Sequence, residues 1–267
     1  MDSLILWVIA FTALGGALSA VAAGAFLLLP AVTRARLLAP LVSFAVGALL
    51  GAALLGLLPH ALAHSAAPER ITLAVLLGLL VFFVLEKLVI WRHCHSHDCE
   101  VHGHAEHEIT PHAVEHARQI AAGKLILIGD GIHNFVDGVL IAAAFLTDVQ
   151  LGVVTAVAVI AHEIPQEVGD FAILLNSGYT RARAFAFNIL SGLTTVIGGI
   201  VAYFSLSFVE QAVPYVLAVA ASSFLYIAVA DLIPGLHKRP EFSATLQQAG
   251  LIGLGIAVIF GVQFALH

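Results

Sequence analysis

Long apolar runs separated by short polar connectors make up almost all of this 267-residue chain. An α-helix rises 1.5 Å per residue, so about 20 apolar residues cross the hydrocarbon core of a bilayer. Windows of that length predict eight helices, near 4–29, 38–62, 71–91, 121–146, 150–176, 184–209, 212–234 and 246–266. The first run starts almost at Met1, lacks a basic leading segment and continues to Leu29, so it reads as a span and not as a cleavable signal peptide. Most connectors are short. The exception is "RHCHSHDCEVHGHAEHEITPHAVEHARQ", between the third and fourth spans. No soluble domain of useful size is left, so the expectation is one all-α membrane domain over 1–267 with a His-rich loop at about 92–119.

Composition sharpens this picture. The chain is 60% hydrophobic and 10% charged, against roughly a quarter charged in soluble domains. Net charge is −6 and the basic residues are scattered, which excludes a nucleic-acid footprint. Cys94 and Cys99 share one polar segment and make no disulfide framework. Basic residues set the orientation. Arg34, Arg36, Lys87, Arg92, Arg118, Lys124, Arg181, Arg183, Lys238 and Arg239 all fall on one side of an eight-span chain, and only Arg70 falls on the other. Both termini are therefore expected outside and the His-rich loop inside.

Spans four and five break the apolar pattern. "GDGIHNFVDG" puts Asp130, His133, Asn134 and Asp137 in the fourth, and "HEIPQEVGD" puts His162, Glu163, Gln166, Glu167 and Asp170 in the fifth. Five carboxylates facing lipid would cost roughly 12–18 kcal/mol on insertion scales, so these groups must face a bundle interior, a water-filled cavity or a cation. His133 and Asp137, His162 and Gln166, and Glu163 and Glu167 are each four apart, one above the other on a helix face. Asp130 extends the His133 face by a turn, and Asp170 extends the other. Two ladders of imidazole, carboxylate and amide without thiolate suit Zn²⁺, Fe²⁺, Mn²⁺ or Co²⁺. Pro165 removes a helix donor and is expected to kink span five, while Gly129, Gly131 and Gly138 allow close helix approach in span four. Interrupted helices at mid-membrane depth are the usual pointer to a transporter's binding site.

At these residues the chain resembles the ZIP (Zrt/Irt-like) metal transporters, whose paired signature is HNxxD in the fourth helix and HExPHExGD in the fifth. "HNFVDGVLI" and "HEIPQEVGDFAILL" carry the likeness, supported by "LLPHAL" at 57–62 and "FLYIAVADLIP" at 224–234. The resemblance implies a 3+2+3 bundle in which spans one to three and six to eight are inverted repeats around spans four and five. It implies a transporter domain that passes a divalent ion, Zn²⁺ first and Fe²⁺, Mn²⁺ or Cd²⁺ as alternatives, into the cytoplasm between helices 4 and 5. By position, His133, Asp137, His162 and Gln166 match one family ligand set, and Asn134, Glu163 and Glu167 an adjoining second set, as in a two-metal centre. Three positions depart from the pattern: Gln166 stands where relatives often carry His, Ala52 and Gly56 where many carry an acid and a His, and Gly235 where Glu is usual.

Further candidates lie outside the two motifs. His93, His95, His97, His102, His104, His107, His112 and His116 account for eight of the fourteen histidines, and their alternation suits transient chelation in a receiving or sensing loop. His60 and His64 sit four apart at the outer end of span two, and Asp231 precedes Pro234 in span seven; these are pathway candidates. Expected partners are the metal-ion substrate and the bilayer of a cell membrane, plasma or inner, with a homodimer as the assembly left open. An intramembrane zinc metalloprotease is the rival enzyme reading, but HExxH chemistry needs His where Gln166 stands, so no enzyme is expected. A metal sensor that does not transport is the other rival. No ATP-binding P-loop motif is present.

Overall fold

A computed structural model describes residues 2–94, 111–238 and 241–265. It is all-helical over those residues, with eight helices long and apolar enough to cross a membrane. They are α1 (Ser3–Leu27), α2 (Ala31–Ala63), α3 (Pro68–Lys87), α4 (Ile126–Thr147), α5 (Val149–Asn176), α6 (Arg181–Leu206), α7 (Val213–Leu236) and α8 (Phe242–Ala265). Helical backbone continues past α3 to Cys94 and begins before α4 at Pro111. The protein is a multi-pass integral membrane protein. Exposed Leu73, Leu76, Leu77 and Leu80 on α3 and Leu254, Phe260 and Phe264 on α8 form the apolar outer surface that lipid requires.

The span boundaries follow local chemistry. α2 starts seven residues before the hydropathy window, because Pro30, at ψ 145°, sets the helix start at Ala31; Thr33, Arg34 and Arg36 lengthen the helix without being apolar. Asp148 alone joins α4 to α5, and its carboxylate accepts from the N–H groups of Gln150 and Leu151 at 2.8 and 3.1 Å. Gly178, at φ 86°, closes α5. There Tyr179 N–H donates to Leu174 O and Gly178 N–H to Leu175 O, both at 3.1 Å, a Schellman close. Thr180 then caps α6 through Arg183 N–H.

Span five is helical without a break from Val149 to Asn176. α5 runs as one α-helix with Pro165 inside it, since proline deletes a single donor and a helix buried on several sides is held by its neighbours. Departures from α geometry fall elsewhere, in π-helical stretches at Leu14–Leu18, Ala52–Leu57 and Ile227–Leu232. The last two share a register: each is six residues long and is followed two positions later by proline, Pro59 in α2 and Pro234 in α7.

Packing centres on α4 and α5. The most extensive helix pair is α4 with α6, followed by α2 with α7, α2 with α8 and α1 with α6. A side chain at Gly138 would overlap the Thr195 carbonyl, and one at Gly198 the Phe135 carbonyl, so small residues set the α4–α6 approach. Gly131 and Gly129 do not share that role: a Cβ at Gly131 would meet only Ser191 Oγ at 3.8 Å, and one at Gly129 nothing within 4 Å. Fully buried Leu49, Phe145, Val159 and Phe224 belong to one continuous core around the polar centre.

Candidate metal centre

Four ligand-type side chains from α4 and α5 converge in the middle of this core. His133 and Asp137 lie one turn apart on α4; His162 and Glu163 are adjacent on α5. One ligand atom from each lies within 4.8 Å of the others. His133 Nε2 is 3.4 Å from His162 Nε2, 3.3 Å from Glu163 Oε1 and 3.7 Å from Asp137 Oδ2. His162 Nε2 is 3.2 Å from Asp137 Oδ2 and 3.5 Å from Glu163 Oε1. A tetrahedron with bonds of about 2.0–2.1 Å has edges of about 3.3–3.4 Å, so five of its six edges are matched within a few tenths of an ångström.

The surroundings fix these atoms. His162 Nδ1 donates to Ala158 O at 3.0 Å, which leaves Nε2 as the free donor atom toward the group. The edge of its ring packs on Phe224 of α7, with ring centroids 6.0 Å apart. His162, Glu163 and Asp137 are almost wholly buried, whereas the His133 side chain keeps 24% of its exposure and marks the accessible edge. Two imidazole nitrogens and two carboxylates this close, out of water, need protons or a cation between them.

A second group adjoins the first. Asp130, Glu163 and Glu167 each present a carboxylate oxygen within 4.8 Å of the others, and all three are buried. Glu163 belongs to both groups and can bridge them. Neither oxygen of Glu163 or Glu167, nor Asp130 Oδ2, has a hydrogen-bond partner among the described residues. Asn134, from the same α4 turn, is engaged: its Nδ2 donates to Asp130 Oδ1 at 2.9 Å and its Oδ1 accepts from Thr195 Oγ1 at 2.8 Å.

The other sequence candidates are placed more loosely. Gln166 is half-buried one turn beyond His162, and Asp170 is buried one turn beyond Gln166. His60 and His64 belong to neither group; their rings lie parallel, 6.2 Å apart, with Nδ1 atoms bound to Gly56 O and His60 O. Asp231 is exposed within the π-helical stretch of α7, near the Tyr226 hydroxyl that donates to Glu86. His95, His97, His102, His104 and His107 lie outside the described residues, and for His93, His112 and His116 only the helical backbone is described. Sequence reasoning missed α6. Asn188, Ser191 and Thr195 form a buried polar stripe there, and Asn188 Nδ2 donates to Glu167 O at 3.2 Å. Their spacing of three and four residues in an apolar span was the available signal.

A family model described as "ZIP Zinc transporter" matches residues 4–263. Zinc transporter ZIP13 of Pongo abelii is 34% identical over 233 residues, covering 82% of this chain and 65% of the relative. Zinc transporter ZIP4 of Rattus norvegicus is 32% identical over 268 residues, covering 79% and 41%. Zinc transporter ZIP10 of Danio rerio is 36% identical over 147 residues, covering 52% and 17%. The chain thus spans less than two thirds of the length of these curated relatives. With the family match running over nearly all of its length, the chain belongs to the ZIP family.

Proposed function

We propose that this protein carries divalent transition-metal ions, Zn²⁺ foremost and Fe²⁺, Mn²⁺ or Cd²⁺ as alternatives, across its membrane into the cytoplasm through the polar centre between α4 and α5. The observation that carries this reading is the near-tetrahedral spacing of ligand atoms from His133, Asp137, His162 and Glu163. The zinc-transporter names of the relatives point to the same substrate class. Asn134, Gln166 and Glu167 complete the proposed ligand set, with Asp130 and Asp170 as accessory groups. In this reading the whole chain is one transporter domain whose spans one to three and six to eight repeat in inverted sense. The matching π-helical stretches and prolines of α2 and α7 support that symmetry, and the basic residues favour outside termini.

The chemistry is exchange of ligands without covalent change to the ion. A hydrated ion sheds waters at His133, the most accessible member, onto oxygen and nitrogen atoms already held at tetrahedral spacing. His60 and His64 offer a first stop outside, Asp231 one on the way out, and the His-rich loop a receiving site. Flux follows the gradient or a coupled ion, and motion of the outer helices against α4 and α5 provides alternating access. Peptide-bond hydrolysis is disfavoured by Gln166, which replaces the second zinc-binding His that an HExxH enzyme needs. Purified protein in liposomes should admit Zn²⁺ or Cd²⁺ down a gradient in a saturable way. Tight binding without flux would leave a sensor instead.

A further inference from the structure

Two glutamines of α8 each end on a backbone carbonyl of a helix that carries a π-helical stretch. Gln248 Nε2 donates to Leu236 O at the end of α7, at 3.2 Å, and Gln263 Nε2 to Leu55 O in α2, at 3.1 Å. The first is ordinary, because the last carbonyls of any helix lack intrahelical donors. The second lies inside a helix. Leu55 belongs to the stretch Ala52–Leu57, and in an α-helix its carbonyl would accept from the residue four positions on. That residue is Pro59, which has no N–H. Gln263 therefore supplies the donor that Pro59 withholds. An amide side chain between Phe260 and Phe264, both exposed on the apolar outer surface, is costly unless it is bonded in this way.

The bond falls where α2 is least held. Leu58 N–H reaches back five residues, to Ala53 O, instead of four, and Pro59 follows at once. Such a turn followed by a missing donor leaves fewer backbone bonds between the two arms of the helix, so bending concentrates there. The surroundings give the bend a direction. A Cβ on Gly56 would meet Leu151 and Val154 of α5 at 3.3 and 3.4 Å, so that side is filled. Leu55, the adjacent residue, lines a cavity of about 230 Å³ together with Phe260, Gln263 and Phe264 of α8. Room to move therefore lies on the α8 side, at the Gln263 amide. Beyond the stretch, the arm Leu58–Ala63 carries His60 and ends on His64. His60 Nδ1 is bonded to Gly56 O at 2.9 Å, so its ring turns with the arm.

We propose that Gln263 is a positioning residue for ion passage: through Leu55 O it sets the angle of a hinge in α2 whose arm places His60 and His64 relative to α5. This rests on the metal-transport reading. While the amide bond holds, the arm stays against α5; when it breaks, Leu55 moves into the cavity and the arm leans toward α8. In this way α8 governs the ion's access without touching the ion, and no ligand of the metal centre takes part.

The test is a double-mutant cycle on purified full-length protein, reading Zn²⁺ flux in liposomes, Zn²⁺ binding at equilibrium and amide hydrogen exchange over Leu57–Ala63. Gln263→Leu keeps the bulk of the side chain and removes the donor. It should lower maximal flux at least about fivefold, the effect of one carbonyl left unsatisfied away from water. Exchange over the arm should quicken by at least about the same factor, while Zn²⁺ affinity stays within about twofold of wild type. Pro59→Ala restores a backbone N–H to Leu55 O, so in that background Gln263→Leu should alter flux and exchange by less than about twofold. A Gln263 that only helps to pack α8 would give the same loss in both backgrounds. Equal losses, or unchanged exchange in Gln263→Leu alone, would overturn the proposal, and the exchange readout decides it even where a variant carries no flux. Absence of flux in wild type would overturn the transport reading instead and leave the exchange comparison standing.

Discussion

The Nε2 atoms of His133 and His162 face each other at 3.4 Å from two different helices, with no backbone element between them. Two neutral imidazoles that both direct lone pairs inward repel at that distance, and two protonated ones repel more strongly. A single proton on His133 Nε2 can bridge the pair, and a bound cation can take that proton's place, with the flanking Asp137 and Glu163 oxygens at 3.2 and 3.3 Å to complete the shell around it.

His162→Ala removes one of four ligand atoms and opens a small cavity beside Phe224. Zn²⁺ affinity should fall by at least about 100-fold, the upper end of what even outer-shell changes produce. Calorimetric titration of purified protein checks this, with a size-exclusion profile confirming that the fold is retained.

Acid should weaken binding. Metal and proton compete for the same nitrogen and oxygen atoms, so binding releases protons and the apparent affinity rises with pH. Where imidazole titrates, between about pH 5 and 7.5, each His that must lose a proton contributes up to roughly tenfold per pH unit. Titrations across that window should show affinity falling steadily toward pH 5; a flat profile would exclude His133 and His162 as ligands.

The eight spans were legible in the sequence because apolar length is what a bilayer demands, and the motif pairs were legible because charge in such spans is rare. Three features were not. Hydropathy is blind to the start of α2, where Pro30 and not apolarity sets the boundary. It is equally blind to the π-helical stretches, since Ala52–Leu57 and Ile227–Leu232 read as ordinary apolar helix. The stripe of Asn188, Ser191 and Thr195 was overlooked because hydroxyls and amides lower hydropathy less than charges do.

Gly138→Val should damage the fold and, through it, the site. Its side chain would run into the Thr195 carbonyl, a backbone atom that cannot rotate away. Overpacking of this kind costs about 1–3 kcal/mol or more, and separating α4 from α6 would also pull Thr195 off Asn134. A lowered melting temperature in a fluorescence assay, with Zn²⁺ giving less protection than in wild type, is the expected outcome.

Phe224→Ala tests the wall behind His162. Phe224 is fully buried, and such truncations cost about 3–5 kcal/mol. The freed imidazole should also lose its fixed orientation, so Zn²⁺ affinity should drop along with stability, whereas Phe224→Leu should recover most of both. Thermal melts with and without Zn²⁺ separate the two effects.

Deletion of 93–116 removes the His-rich loop and leaves both ligand groups in place. Uptake into liposomes should persist, while in cells the response of uptake to cytosolic metal should be lost. Unchanged behaviour in both assays would end any role for the loop in receiving or sensing the ion.

The most direct test of the central claim, that buried acids and imidazoles of α4 and α5 are compensated by a divalent ion, is X-ray absorption at the zinc edge on purified protein loaded with one equivalent of Zn²⁺. The account predicts a four-coordinate nitrogen and oxygen shell at about 2.0 Å with the outer scattering of two imidazoles, reduced to one in His162→Ala. A sulfur shell, or a spectrum that His162→Ala leaves unaltered, would contradict it.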